Sequence, residues 1–321
     1  MKERGCAGRV CIILNPHADK GGAERRRSLI ENACREYRLD YVVVETHASR
    51  DAIGFARSAV HNGFNTIVAA GGDGTANEVL DGMVRGIREC GLTPENSPCL
   101  GILPVGRGND FAWVAGIPDN VTDAVALIAE GNASLIDYGE LKGGSFPQGR
   151  CFLNGVGIGF EPTVNYIASD FKHVSGMLSY VLALIKVMMN YPKAAKLKVL
   201  LDNSDTIEID TQQMSICNGR RMGAAFIMAP EAVVDDGLLD LVYANRPVGI
   251  LRILSLVLRF FKGTQLSTPY FSMQRVKSLR ISDEEAKIVC HADGEEISRG
   301  CENIEIEIFP KGLNCIRKRQ T

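Results

Sequence analysis

Residues 68–80 read VAAGGDGTANEVL. An apolar strand runs into a bend made of Gly71, Gly72, Asp73, Gly74 and Thr75, and a helix is expected to start at Thr75. Glycine loses more backbone freedom on folding than any other residue, so three of them here point to close approach of the main chain to a ligand. Phosphate suits such a bend, because the N–H groups at a helix start and the positive end of its dipole favour an anion. Asp73 beside a phosphate then calls for a divalent cation between the two. The same run also reads as an ordinary strand-to-helix turn. A P-loop is excluded, since no lysine followed by Ser or Thr comes after the glycines, and the spacing is not that of the dinucleotide fingerprint.

Working outward, the residues around the bend alternate strand with helix. Apolar strands are expected at 9–14, 41–44, 66–70 and 100–103, with helical spacing after Gly22 and over 51–61. Alternation with a period of about 30 residues predicts a doubly wound parallel sheet with helices on both faces. In such a sheet ligands collect beyond the carboxyl ends of the strands. Four segments would meet there: 15–20, Thr46 with His47, the glycine bend, and the loop 104–110, PVGRGND.

From about Asp137 the pattern changes to short alternating strands, at 151–154, 195–201, 206–210, 213–217, 238–243, 276–281, 287–291, 303–309 and 314–317. Helices are inserted at 162–170, 174–191 and 248–262. The expected organisation is an α/β nucleotide-binding domain over 1–137 and a mostly antiparallel, β-sandwich-like domain with inserted helices over 138–321, hinged near 136–139.

Composition limits the function classes. The chain has 321 residues, 45% of them hydrophobic and 23% charged, with a net charge of −2. That is a globular composition with no basic run to suggest nucleic acid. The ten cysteines form no Cys-x-x-Cys pair, which speaks against zinc and for small core hydrophobes in a reducing cytosol. The N-terminus has no apolar signal region. The apolar stretch 176–191 is too short to span a bilayer and is interrupted by Lys186, so it reads as a core helix. His17, His47, His61, His173 and His291 lack metal-ligand spacing and read as surface or loop residues, and the lone Trp113 reads as core packing.

Taken in order, Asn15-Pro16, Gly71-Gly72-Asp73-Gly74-Thr75, the loop 103–110 (LPVGRGND), the run 154–159 (NGVGIG), the run 236–240 (DGLLD) and Asp293-Gly294-Glu295 make the chain resemble diacylglycerol kinase catalytic-domain proteins. The soluble bacterial lipid kinases are most similar, with sphingosine and ceramide kinases more distant. The resemblance covers nearly the whole chain. It implies a nucleotide site on the first domain, a β-rich second domain, catalysis between them, and a last strand, about 313–317, that returns to the first domain. ATP would be held by Asn15, Pro16, Lys20, Thr46, Gly71, Gly72, Asp73, Gly74, Thr75, Asn77, Glu78, Arg107 and Asn109. Two departures are Arg107, where relatives often carry a small hydroxyl residue, and Asp19, where a glycine is common.

Phosphoryl transfer needs a cation to screen the phosphates, donors to fix them, and a base for the attacking hydroxyl. Asp73 suits the metal, Mg2+, through a bound water. The resemblance places the proton acceptor at Glu295, with Asp293 as its partner or a metal-side ligand. If their segment is extended, residues two apart project to one side and Gly294 leaves room between them. Asp-Gly is also a common turn pair, so a solvated hairpin stays open. A structural Mg2+ site is likewise implied at Asp236 with the carbonyls of Val233 and Leu238, against a plain Asp-Asp-Gly turn.

The helix at 248–262 carries Arg252, Arg259 and Lys262. It reads either as a core-facing helix with solvated cations or as a rim resting on anionic headgroups. The expected function is ATP- and Mg2+-dependent phosphorylation of a lipid hydroxyl, first of all that of diacylglycerol. Alternatives are another lipid acceptor (sphingoid base, ceramide, monoacylglycerol or phosphatidylglycerol), an NAD kinase, and a lipid or nucleotide sensor without activity. The expected partner is a lipid substrate met by peripheral contact at the cytoplasmic face of a membrane, and a homodimer is compatible with the sequence.

Overall fold

Strands buried on both faces need unbroken apolar runs, and the inner strands of the first sheet are such runs. Its strands are β1 (Arg9–Leu14), β2 (Asp40–Glu45), β3 (Thr66–Gly71) and β4 (Cys99–Pro104), in the order β2-β1-β3-β4 and all parallel. Every residue of β3 and β4 is buried. This is a computed structural model of the chain, and it describes residues 8–18, 22–171, 177–189, 194–285 and 287–318.

The helices of this unit are α1 (Gly22–Glu36), α2 (Asp51–His61), α3 (Asp73–Cys90), α4 (Asp110–Val114) and α5 (Val121–Glu130). Helices α2 and α3 approach closely because α3 carries glycines where they meet: a Cβ on Gly82 would lie 2.2 Å from the Ile53 carbonyl oxygen. Asn120 caps α5 by accepting from the N–H groups of Thr122 and Asp123, and Gly131, at φ 67°, ends it.

Strand β5 (Ala133–Gly143) runs straight through 136–139, so the segment expected to be a hinge is extended strand. The chain divides between Tyr138 and Gly139, and residues 310–321 fall with the first unit. The spans expected as two strands at 303–309 and 314–317 are one, β18 (Asn303–Ile316), whose end lies parallel to β4 with Cys315 opposite Leu100. The buried carboxylate of Asp137 accepts the Lys311 N–H at 2.6 Å.

The second unit, Gly139–Phe309, is antiparallel. Its remaining strands are β6 (Phe146–Phe152), β7 (Gly155–Gly159), β8 (Ala195–Leu201), β9 (Asp205–Thr211), β10 (Gln213–Cys217), β11 (Arg221–Met222), β12 (Phe226–Ile227), β13 (Leu239–Ala244), β14 (Phe271–Val276), β15 (Ser278–Ser282), β16 (Val289–Ala292) and β17 (Glu295–Arg299). One sheet runs β14-β13-β10-β7-β16-β17, and the other pairs β18, β15, β8 and β9, with β5 beside β18 and β6 beside β5. Alternating residues of both sheets share one core, Val156, Ile216 and Leu241 from the first with Val199, Ile281 and Ile306 from the second. Each such side chain contributes about 1.5–3 kcal/mol by leaving water. The layers are therefore a sandwich.

The expected strand 276–281 is two strands, because the chain changes sheets at Lys277. Asp202 stabilises the crossing by accepting the N–H groups of Lys277 and Ser278 at 2.7 and 2.9 Å. Helices α6 (Phe160–Asp170), α7 (Met177–Met189) and α8 (Ile250–Lys262) share a second apolar cluster with β13 and β14, among them Phe160, Val187, Leu256 and Phe260. Residues 174–176 and 190–191 of the helix expected at 174–191 lie outside the described residues.

Candidate functional site

The strand order of the first unit reverses direction between β1 and β3, which marks the carboxyl ends of those strands as a ligand site. Helix α3 starts at Asp73, not at Thr75, so the bend is Gly72 alone, Gly71 closes β3, and Gly74 and Thr75 lie in the first turn. The physical reason is the N-cap: Gly72 is extended, at φ −95° and ψ −167°, and passes directly into helix. Having no side chain, it caps none of the first-turn N–H groups, which is what an anion requires of the site.

Neighbouring loops pack on this helix start. The Asn15 amide donates to the Thr75 hydroxyl at 3.2 Å, and the Asn15 Oδ1 accepts the His17 N–H at 3.0 Å. Gly71 is required because a Cβ there would lie 2.2 Å from the Thr75 Oγ1. The N–H groups of Val105 and Gly106 both donate to the Gly71 carbonyl at 3.1 Å. Asn109, at φ 51°, donates its amide to the Gly106 carbonyl at 3.0 Å, and the Phe111 N–H reaches the Asp73 carboxylate at 3.3 Å. Thr46 and Asn77 are buried, whereas Arg107 is exposed on its loop. Glu78 accepts the Arg50 N–H at 2.9 Å, and Asp51 accepts those of His47 and Ala48 at 2.8 Å, so two carboxylates hold the loop that follows Thr46. The structure thus gathers Asn15, Gly71, Gly72, Asp73, Thr75, Gly106 and Asn109. Lys20 lies outside the described residues.

In the second unit, Asp293 and Glu295 are not two teeth of an extended segment. Asp293 and Gly294 are the two residues of a tight turn between β16 and β17, at φ 48° and 84°, the left-handed pair that hairpin twist favours. The Asp293 carboxylate is turned inward, where it accepts the N–H groups of Leu153, Asn154 and Gly155 at 2.7, 2.9 and 3.0 Å. It anchors the backbone entering β7 through these three N–H groups. Glu295 opens β17 and is exposed.

Sequence reasoning missed what stands behind this turn. His291 is buried rather than at the surface, with its Nε2 2.6 and 2.7 Å from the two carboxylate oxygens of Glu161 and its Nδ1 accepting the Gly294 N–H at 3.1 Å. Room for the pair comes from the run 154–159: a Cβ on Gly157 would lie 1.9 Å from Glu161 Oε2 and 2.7 Å from His291 Nε2. Trp113, read as core, is 48% exposed.

Asp236 makes an Asx turn, its carboxylate accepting the Leu238 N–H at 3.0 Å. Among the described residues no three His, Cys, Asp or Glu side chains cluster as a metal cage. Asp73 as a lone carboxylate fits a Mg2+ ion that keeps several waters and draws its other ligands from phosphate oxygens.

Residues 9–141 match the family model of the diacylglycerol kinase catalytic domain, and residues 154–317 that of the YegS C-terminal NAD kinase beta sandwich-like domain. A Pseudomonas aeruginosa protein named probable lipid kinase YegS-like is 32% identical over 288 residues, which is 89% of this chain and 88% of that one. The probable lipid kinase YegS of Escherichia coli is 28% identical over 300 residues, 88% of this chain and 87% of its own. A crystal structure of a putative diacylglycerol kinase from Bacillus anthracis superposes with a TM-score of 0.73 at 22% identity, over 97% of each chain, and so has the same fold.

Proposed function

We propose, from the premise that this chain belongs to the diacylglycerol kinase catalytic-domain family and carries its YegS-type C-terminal domain, that it transfers the γ-phosphate of ATP to a lipid hydroxyl, with diacylglycerol as acceptor and phosphatidic acid as product. The observation that carries this reading is the uncapped start of α3, where Asp73 follows bare backbone at Gly72 and the Asn15 amide reaches Thr75. That arrangement suits a phosphate chain: N–H donors, a helix dipole, and one carboxylate.

In this reading Asn15, Thr46, Gly72, Gly74 and Thr75 hold the nucleotide, with Arg107 on the outer side. Asp73 would hold Mg2+, which when bound supplies the positive charge that screens the phosphates. Glu295 accepts the proton of the attacking hydroxyl, and its exposure leaves it reachable by an acceptor. A second Mg2+ at Asp236 and the carbonyls of Val233 and Leu238 would be structural.

Such an enzyme works from the cytoplasm against a membrane surface. In support, α8 presents Leu258, 65% exposed, beside exposed Arg252, Arg259 and Lys262, and the helix contains no acid. Among the described residues no helix is long and apolar enough to cross a bilayer, so contact through α8 would be peripheral.

The test is transfer of radiolabelled phosphate from ATP to diacylglycerol, monoacylglycerol, sphingosine, ceramide, phosphatidylglycerol and NAD, each offered separately. Labelled phosphatidic acid is expected, abolished by Glu295→Gln. Labelling of NAD alone, or no labelling of any acceptor by a protein that binds ATP, would overturn the lipid kinase reading in favour of an NAD kinase or a sensor.

A further inference from the structure

Helix α6 grips the β16–β17 hairpin at three points. Glu161 receives His291 Nε2, the Asn165 amide donates to the Gly294 carbonyl at 3.0 Å, and the Tyr166 hydroxyl donates to the Cys290 carbonyl. The start of α6 is itself fixed: the Phe160 N–H donates to the Gln212 carbonyl at 2.7 Å and the Glu161 N–H to the Gln213 side chain at 3.0 Å. Opposite, the Asp293 N–H donates to the Gly155 carbonyl at 3.0 Å.

The hydrogen bonds also assign the imidazole tautomer. The Gly294 N–H points at Nδ1, so the ring proton sits on Nε2 and is donated to Glu161. Both peptide groups of the turn are thereby held, the one before Gly294 through its N–H and the one before Glu295 through its carbonyl. Glu295 follows directly, and the direction of its Cα–Cβ bond is set by that second peptide plane. The Asp293 carboxylate and N–H tie the first half of the turn to residues 153–155, whereas the contacts from His291 and Asn165 fall on the peptide planes either side of Gly294. Three side chains from one helix are more than a hairpin of this kind needs to form.

We propose that Glu161, His291 and Asn165 are positioning residues for Glu295, holding the turn so that its carboxylate meets the acceptor hydroxyl in the reacting geometry. The inference rests on the reading of Glu295 as the base. It adds a supporting helix to that base, and it accounts for Gly157, which leaves room for the Glu161–His291 pair.

The experiment measures kcat and KM for ATP and for diacylglycerol in mixed micelles, using the full chain and its Glu161→Ala, Glu161→Gln, Asn165→Ala and Glu295→Gln variants. Misplacement of a reacting group by about 1 Å costs on the order of a hundredfold, so Glu161→Ala is expected to lower kcat by about tenfold to a hundredfold with both KM values held within about twofold. Glu161→Gln, whose side-chain oxygen still accepts from Nε2, is expected to return most of that loss. Asn165→Ala, which removes one of the two peptide holds at the surface, is expected to lower kcat by about threefold to tenfold. Wild-type kcat in Glu161→Ala, a Gln variant no better than the Ala variant, or a change in KM alone would overturn the proposal. If Glu161→Ala does not fold, Asn165→Ala decides on the same readouts. An inactive Glu295→Gln beside fully active Glu161→Ala and Asn165→Ala sinks only this inference, whereas a fully active Glu295→Gln sinks the base assignment beneath it.

Discussion

Gly106 and Gly72 meet backbone to backbone: a Cβ built on Gly106 would lie 2.2 Å from the Gly72 Cα and 2.7 Å from its nitrogen. The loops that follow β3 and β4 are thus in contact at the point where α3 begins, and neither partner has a flexible side-chain end that can yield.

Gly106→Ala is expected to destabilise the protein by about 1–3 kcal/mol, the range for overpacking, and to weaken ATP binding because the start of α3 must move. Thermal unfolding and nucleotide titration check both. Gly54→Ala is the opposite case, since nothing lies within 4 Å of its added Cβ within α2. That change should stabilise by about 0.4–1 kcal/mol through the unfolded chain.

Asp293 and Glu295 should separate cleanly under substitution. Asp293→Asn puts an amide against N–H groups that now donate to a carboxylate, and charge-assisted bonds of this kind contribute about 1.5–3 kcal/mol each. A loss of at least about 2 kcal/mol in chemical denaturation is expected. Glu295→Gln, at an exposed position, should leave stability within about 0.5 kcal/mol of wild type. Its turnover should fall by about a hundredfold to ten-thousandfold, as for loss of a general base. Equal stability loss in both variants would remove the distinction.

Asp51 gives a pH dependence. The N–H groups of His47 and Ala48 hold its carboxyl below the usual aspartate range. A folded-state value depressed in this way contributes stability that is present above the unfolded pKa and is lost as pH falls through the folded one. The gap in unfolding midpoint between wild type and Asp51→Ala should therefore be full at pH 6 and close below about pH 4. A gap that is constant from pH 3 to pH 7 would contradict the assignment.

Helix α8 predicts salt-sensitive membrane contact. Each basic residue near an anionic surface contributes about 1 kcal/mol, so changing Arg252, Arg259 and Lys262 to Glu should weaken flotation with phosphatidylserine vesicles by at least about a hundredfold. Arg252 lies 5.3 Å from the Tyr270 ring centroid and Arg259 is 3.4 Å from the Ser267 hydroxyl, so circular dichroism must confirm that the variant is folded. Unchanged flotation would reject the docking role.

The local pattern alone determined a great deal. Apolar runs such as 66–70 read as buried strands and the glycines after them as a break, so the parallel sheet and the place of the bend were legible in the sequence alone. The motif order carried the family, because those residue types recur at those places in the chain. Three-dimensional contact decided the rest. Asp293 and Glu295 look equivalent along the chain, yet one turns inward to three N–H groups from residues 153–155 and the other is exposed, a difference set by strand pairing across about 140 positions. His291 and Glu161 are 130 positions apart and have no local signature, since their meeting depends on β7 lying beside β16 with glycine at the crossing. Side-chain periodicity reports which face is buried, whereas partners are chosen by sheet register, and register exists only once the strands have met.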